Sequence, residues 1–214
     1  MITCISGWAT TEKVWQPLSL PEHTSLKWSD CLNSPPTLEG ICIGWSIGGM
    51  IALQAAQHSQ LKACVLISTT PRQIEDSGFA GVPLETAQGM LHALQENRKA
   101  LLEQFFTMNL FPNRDLQLHR TLCEQARSIE QSALEQGLSF LQQIDLRKTL
   151  GTIEIPTLVI HGTEDVITPF TSAEYLVRSM PNARLSAIEG AGHAALITHA
   201  REVSNAIGEF INGL

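Results

Sequence analysis

Short apolar runs separated by stretches of helical spacing constrain the fold of this chain more than any other feature. The runs read MITCIS, EGICIG, KACVLIST, TLVIHG and ARLSAIEG. After the second run, Ile47, Ile51 and Ala55 recur at i, i+4 and i+8, which is the spacing of a helix. Buried strands that alternate with helices form a mostly parallel sheet covered on both faces. We therefore predict an α/β fold.

One further run completes the sheet. TSLKWSDCL (Thr24–Leu32) alternates only partly between apolar and polar residues and is bounded by turn-forming segments. We interpret it as an edge strand, on which Lys27 and Asp30 would discourage pairing with another chain. With it, the predicted sheet has about six strands.

From Pro71 to Leu150 the sequence predicts no strand. Three apolar stripes of helical spacing occupy this region: Leu84, Ala87, Leu91 and Leu94; Leu118, Leu122, Ala126 and Ile129; Leu134, Leu138, Leu141 and Ile144. We expect residues 1–70 and 151–214 to form the core and residues 71–150 to form a helical cap. Such a cap would lie over the carboxyl edge of the sheet, where parallel sheets bind ligands.

The composition disfavours several functional classes. The 214-residue chain has a formal net charge of −7, whereas a nucleic-acid-binding protein needs a basic surface. It contains neither an 18-residue apolar stretch that would predict a membrane span nor a signal peptide. The five cysteines include no CxxC pair, which favours buried thiols in a reducing cytoplasm. No phosphate loop, dinucleotide motif or metal-spaced histidine set occurs, so we expect a cytoplasmic monomer without cofactor or metal.

Ser46 is the candidate nucleophile. It stands in CIGWSIGGM between Gly44 and Gly48, after an apolar run and before a helical one. Glycines two positions either side of the serine remove Cβ atoms that would clash in a sharp strand-to-helix turn. Such a turn exposes the hydroxyl and places the N–H of Ile47 at a helix N-terminus, where it can stabilise an oxyanion. The alternative is an ordinary tight turn, and the later loops decide between them.

A serine hydroxyl needs a base and a group that orients that base. In this motif the acid and then the histidine follow the serine, each in a loop after a later strand. Asp165 follows TLVIHG and His193 follows ARLSAIEG, so the order predicts a catalytic triad. Glu164 competes for the acid role. A helix-capping or turn role is the alternative for Asp165, and a helix-starting role is the alternative for His193. We interpret His161 as packing or bonding locally and His199 as a surface residue.

A second oxyanion donor is expected from the loop after the first run, SGWATTEKVW. Gly7 permits the bend, and the backbone N–H of Trp8 is the candidate donor. An ordinary strand-to-helix turn is the alternative interpretation of this loop.

Three segments carry a family resemblance: GWATTEKVW, GWSIGG, and GLSFLQQIDLRKTL from Gly137 to Leu150. Together they resemble the α/β-hydrolase superfamily with a helical cap. Within it, they resemble the pimeloyl-[acyl-carrier protein] methyl ester esterase family of biotin synthesis. The chain departs from that family at Ser6, where histidine is usual, and at Ala9, where glycine is usual. The resemblance implies an α/β-hydrolase sheet that lacks the usual first two strands.

The resemblance also implies a serine carboxylesterase that hydrolyses the methyl ester of a pimeloyl chain on an acyl-carrier protein. A general carboxylesterase of small free esters is the alternative, and a non-catalytic hydrolase-like binding protein is a third possibility, although no triad residue is missing. An acidic carrier would be attracted by basic residues of the cap: Arg98, Lys99, Arg114, Arg120 and Arg127. A solvated helix face is the alternative for these residues.

The cap also contains the apolar cluster LLEQFF. We expect Leu102, Phe105 and Phe106 to line an acyl channel over Ser46, with Trp8 as a further substrate contact. Packing in the core is the alternative role for each of these side chains.

Overall fold

A computed structural model describes residues 1–214 and contains a six-stranded sheet. Its strands are β1 (Ile2–Ile5), β2 (Thr24–Leu26), β3 (Glu39–Trp45), β4 (Gln60–Ile67), β5 (Thr157–Gly162) and β6 (Ala183–Ile188). They are arranged in the order β2-β1-β3-β4-β5-β6, and every neighbouring pair is parallel. The predicted α/β fold is therefore confirmed, and β2 lies at the edge of the sheet.

The edge strand is shorter than predicted. Only Thr24–Leu26 pairs with β1, and Trp28–Cys31 forms a 3-10 helix. The chain leaves the sheet here because Trp28 and Cys31 are both buried, whereas successive side chains of a strand alternate between faces. The Trp28 indole N–H donates to the carbonyl of Thr10 at 3.3 Å. The prediction of a strand over Thr24–Leu32 is therefore wrong beyond Leu26.

Seven α-helices accompany the sheet: α1 (Ile47–Ala56), α2 (Leu84–Leu110), α3 (Leu116–Ala126), α4 (Gln131–Gln143), α5 (Phe170–Ser179), α6 (Ala195–Thr198) and α7 (Ala200–Asn212). Helices α1, α5 and α7 pack on the strands, whereas α2 packs on α3 and α4. None of the helices is both long and apolar enough to cross a bilayer.

Helices α2, α3 and α4 all lie between β4 and β5, in the region where no strand was predicted. The residues of their apolar stripes are buried or half-buried, except Leu84, which is 49% exposed. Helix α2 is kinked at Asn97, whose φ of −149° and ψ of 75° are not helical. The division into a core and a cap remains a prediction, and these packing relations are consistent with it.

The two ends of the insertion are fastened to each other where they leave the core. The amide of Leu146 donates to the carbonyl of Pro71 at 2.9 Å. The guanidinium of Arg72 binds Asp145 at 2.7 Å, and that of Arg147 binds the same carboxylate at 2.7 Å. Hydrogen bonding from Arg147 is the largest cause that holds the pKa of Asp145 well below its usual range.

Candidate active site

Ser46 forms the corner between β3 and α1. Its φ of 56° and ψ of −120° lie in a region that residues other than glycine rarely adopt. A Cβ at Gly44 would overlap the carbonyl oxygen of Gly48, and a Cβ at Gly48 would overlap that of Ile5. Both glycines are therefore required for α1 to start this close to β1. The strained turn leaves Ser46 partly exposed at the carboxyl edge of the sheet.

Three side chains form a hydrogen-bonded chain at this edge. His193 Nε2 lies 3.0 Å from Ser46 Oγ, and His193 Nδ1 lies 2.8 Å from Asp165 Oδ2. Since the carboxylate accepts the Nδ1 proton, Nε2 is left as the acceptor for the serine hydroxyl. The structure thus brings together the three residues that the order of loops selected, with the expected distance between serine and histidine.

The carboxylate of Asp165 is buried and held on both oxygens. Its Oδ1 accepts the amides of Ile167 at 2.9 Å and Thr168 at 2.8 Å. Burial acts to raise the pKa of Asp165, but the charge of His193 and hydrogen bonds from His161 and His193 outweigh it and lower the pKa below its usual range. Asp165 is therefore ionised at neutral pH and can stabilise an imidazolium.

The loop that contains Asp165 is hydrogen-bonded to the loop that contains His193. The amide of Glu164 donates to the carbonyl of Ala191 at 2.9 Å, while the Glu164 side chain is exposed. The indole N–H of Trp45 donates to the carbonyl of His193 at 3.0 Å. Glu164, the competing acid, makes no side-chain contact with His193, so the structure favours Asp165 for that position.

Two backbone amides beside Ser46 are candidates for the oxyanion hole. Ile47 is the first residue of α1, so its amide has no acceptor within the helix. The amide of Trp8 donates to no protein acceptor. A Cβ at Gly7 would lie 2.8 Å from the Trp45 ring, which explains why the loop begins with glycine. The next residue, Ala9, has a φ of 60°, a region that glycine adopts more readily.

Trp8 connects its own loop to helices α2 and α4. Its ring packs edge-on against Phe105 with centroids 4.8 Å apart, and its indole N–H donates to the carbonyl of Leu134 at 3.0 Å. Phe105 is half-buried, whereas Leu102 and Phe106 are buried in the main apolar cluster. Phe105 therefore contacts the Trp8 loop, and the acyl channel lined by the three residues stays a prediction.

Asn109 was not predicted as a site residue. It is 1% exposed, and neither its side-chain oxygen nor its nitrogen has a partner. Its carbonyl accepts the amide of Ala194 at 3.0 Å, next to His193. Phe105 and Asn109 are four residues apart in α2, so one helix face reaches both the Trp8 loop and the His193 loop. The sequence signal was a polar residue on the buried stripe of Leu102 and Phe106.

The interpretation of His161 as a locally bonded residue is confirmed, but its second contact was not foreseen. His161 Nε2 lies 2.9 Å from the Thr168 carbonyl and 3.3 Å from Asp165 Oδ2. The imidazole therefore reaches the carboxylate oxygen that also binds His193. Sequence spacing alone gave no signal of this contact.

The basic residues of the cap fall into two groups. Lys99, Arg114, Arg120 and Arg127 are exposed, and Lys99 has only a 3.8 Å ion pair with Glu103. Arg98 is half-buried, and its guanidinium donates to two carbonyls at the end of α3, Ala126 at 2.9 Å and Ile129 at 2.6 Å. The Arg98 guanidinium is thus occupied within the protein, and contact of the other four residues with a carrier protein stays a prediction.

The sequence is similar to those of known proteins. The sequence profile of the alpha/beta hydrolase fold family matches residues 39–200. The pimeloyl-[acyl-carrier protein] methyl ester esterase of Aromatoleum aromaticum is 26% identical over 99% of this chain and 98% of its own length. The protein of the same name from Xanthomonas campestris pv. campestris (strain B100) is 30% identical over 83% of this chain and 73% of its own length.

Solved structures show the same fold at low sequence identity. A hydrolase from Oleispira antarctica superposes with a TM-score of 0.88 at 14% identity, over 100% of this chain and 91% of its own. An esterase from Exiguobacterium antarcticum superposes with a TM-score of 0.85 at 16% identity, over 99% of this chain and 91% of its own.

Proposed function

Because the chain belongs to the α/β-hydrolase family, as a carboxylic ester hydrolase related to the pimeloyl-[acyl-carrier protein] methyl ester esterases, we propose that it hydrolyses the methyl ester of a carrier-bound pimeloyl chain. The observation that carries the chemistry is the hydrogen-bonded chain from Asp165 through His193 to Ser46, with links of 2.8 and 3.0 Å. The name shared by the relatives supports the substrate.

In the proposed reaction, Ser46 Oγ attacks the ester carbonyl as His193 Nε2 takes the hydroxyl proton. Asp165 stays ionised and stabilises the imidazolium that forms. When the tetrahedral intermediate collapses, the C–O bond to methanol breaks and His193 returns the proton to the leaving methoxide. A water then loses its proton to His193 and attacks the acyl-enzyme, which releases the carboxylic acid and restores the Ser46 hydroxyl.

The oxyanion of each tetrahedral intermediate would be held by the amides of Ile47 and Trp8. Removal of one such donor costs about 10²- to 10³-fold in rate in other hydrolases. The acyl chain would lie along the face of α2, against Phe105.

Ser46→Ala tests the chemistry. We expect hydrolysis of both a carrier-bound pimeloyl methyl ester and a small p-nitrophenyl ester to fall by about 10⁴-fold or more. Ser132→Ala, at an exposed serine of α4, is the matched control and should keep full activity. Full activity in Ser46→Ala would rule out the serine mechanism.

The exposed cap residues Lys99, Arg114, Arg120 and Arg127 form the proposed carrier surface. Arg120 lies in α3 and Arg127 is its C-cap in helical conformation, so the two residues, seven apart, lie on the same side. An acidic carrier protein approaching this surface would be steered towards the cap, an effect that acts on encounter rate and weakens with salt. The methyl ester chemistry at Ser46 does not require these side chains.

Charge reversal tests the substrate. Arg120→Glu with Arg127→Glu should slow hydrolysis of the carrier-bound ester several-fold and leave the small ester unchanged. Lys62→Glu with Arg201→Glu, an equal charge change at two exposed positions outside the cap, is the control. If neither pair affects the carrier substrate and small esters react as fast, the protein is a general carboxylesterase. Complementation of a biotin-requiring strain blocked at this esterase step gives an independent test.

A further inference from the structure

His161 is a completely buried imidazole at the end of β5, and the proposed reaction steps do not use it. Its Nε2 meets the Thr168 carbonyl at 2.9 Å and Asp165 Oδ2 at 3.3 Å, and its ring packs edge-on against Phe170 with centroids 5.9 Å apart. Its Nδ1 has no hydrogen-bond partner. Nε2 therefore makes all of the polar contacts of the His161 side chain.

These contacts define the tautomer. A backbone carbonyl can only accept, so the Nε2 of His161 must carry the proton that the Thr168 oxygen receives. The same N–H is close enough to share its proton with Asp165 Oδ2. Nδ1 is then the bare nitrogen, because a second N–H buried without an acceptor would be more costly than an unpaired lone pair.

We propose that His161 is a positioning residue of the esterase site, whose Nε2–H fixes the carboxylate of Asp165 in the rotamer that receives His193. This inference rests on the proposed function. Asp165 Oδ1 is held by two backbone amides, and Oδ2 by the two imidazoles. Without His161, the only side-chain donor left on Oδ2 would be His193, the residue that must itself be oriented.

A neutral imidazole suits this task better than a cationic side chain. His193 becomes an imidazolium in the transition state and depends on the negative charge of Asp165. A lysine or arginine beside the carboxylate would cancel that charge, whereas a neutral N–H orients the carboxylate and leaves it anionic. The titratable groups that reach Asp165 are His161 from β5 and His193 from the loop after β6; the segment from 166 to 170 contributes amides only.

Three variants separate positioning from packing. His161→Phe keeps a ring and removes the donor, and we expect kcat to fall about tenfold with KM nearly unchanged. His161→Gln places an amide nitrogen near the position of Nε2 and should restore most of the rate. His161→Asn carries the same amide group, but its nitrogen reaches only to the position of Nδ1, so it should not restore the rate.

The pH profile gives a readout that simple packing would not change. In His161→Phe the carboxylate of Asp165 loses one donor, so its negative charge acts more strongly on the imidazolium of His193. The acid limb of kcat/KM should therefore move to higher pH, and return to the wild-type position in His161→Gln. A variant that loses thermal stability but keeps the wild-type kcat and acid limb would overturn the proposal.

Nitrogen NMR of the wild-type protein tests the tautomer without any variant. With ¹⁵N-labelled histidine at pH 8, we expect His161 to show a protonated Nε2 and a bare Nδ1, and an Nδ1–H tautomer would overturn the proposal. Ser46→Ala, measured in parallel, keeps the two questions separate. If Ser46→Ala retains hydrolysis, the proposed function fails; if Ser46→Ala is inactive but His161→Phe matches wild type, only the positioning role fails.

Discussion

Replacing Asp165 by asparagine changes one atom and tests the whole arrangement. The two amides on Oδ1, from Ile167 and Thr168, would keep the asparagine oxygen in place, because a flipped amide would set its NH₂ against both donors. Each such mismatch costs about 1–3 kcal/mol. The flipped orientation makes two donor–donor mismatches, whereas the unflipped amide makes one, between its NH₂ and the Nε2–H of His161. The new NH₂ group should therefore stand where Oδ2 stood and also face His193 Nδ1.

This placement reverses the tautomer of the base. An NH₂ group donates to Nδ1, so His193 must carry its proton on Nε2 and can no longer accept the proton of Ser46. For a triad disabled in this way, a loss of about 10⁴-fold in kcat is expected, equivalent to about 5.5 kcal/mol of transition-state stabilisation. The fold should survive, since Oδ1 keeps both of its amide donors.

The assay is the steady-state hydrolysis of a small p-nitrophenyl ester at pH 8, with circular dichroism to verify folding. Glu164→Gln is the matched control, because it removes the neighbouring, exposed carboxylate and should leave the rate unchanged. If folded Asp165→Asn kept more than about a tenth of the wild-type rate, the tautomer argument would be refuted. A large loss of rate in Glu164→Gln instead would show that the acid role belongs to Glu164 and not to Asp165.

Three further predictions concern stability and reactivity. Gly48→Ala should lower the melting temperature strongly because its Cβ would overlap a backbone oxygen of β1. Gly208→Ala, at a position with open space around it, should not lower it. Equal effects of the two substitutions would contradict the predicted clash. Burial raises the pKa of the Cys4 thiol to about 12 and is the main cause that raises the pKa of the Cys31 thiol to about 11. Iodoacetamide at pH 8 should therefore label these two cysteines only after unfolding, which mass spectrometry would show. Asp145→Asn should lower the melting temperature by a constant amount from pH 8 to 5. That deficit should shrink below about pH 4, because the pKa of Asp145 is lower in the folded than in the unfolded protein. The ionised carboxylate therefore stabilises the fold above the unfolded-state pKa, and this stabilisation is lost as the pH falls towards the folded-state pKa. A deficit that is absent at pH 7 would contradict this.

The sequence was sufficient to predict the triad geometry because all three residues follow strands of one parallel sheet. The carboxyl ends of parallel strands meet at the same edge, so Ser46, Asp165 and His193 had to converge there. Their loops also contain the small residues that a close approach requires. The sequence order therefore predicted a spatial relation that spans more than 140 residues, as the 147-residue separation of Ser46 and His193 shows.

The contacts of His161 and Asn109 could not be predicted in the same way. Hydrophobic periodicity shows which face of an element is buried, but it does not identify the partner of a polar atom across the fold. The end of β2 was missed for a related reason. Trp28 was interpreted as part of an alternating strand, although its burial depends on the glycine at position 137, which brings α4 onto its ring.

Gly137 allows helix α4 to pack closely against the loop that contains Trp8. A Cβ at this position would lie 2.5 Å from the Trp28 ring and 2.6 Å from the Trp8 ring, and Trp8 also binds the Leu134 carbonyl of the same helix. Helix α4 and the Trp8 loop are thus packed as one piece, although more than a hundred residues separate them. In a chimaera between members of the family, replacing the helical insertion would therefore also require replacing the loop that contains Trp8. The two segments that must be exchanged together are far apart in the sequence.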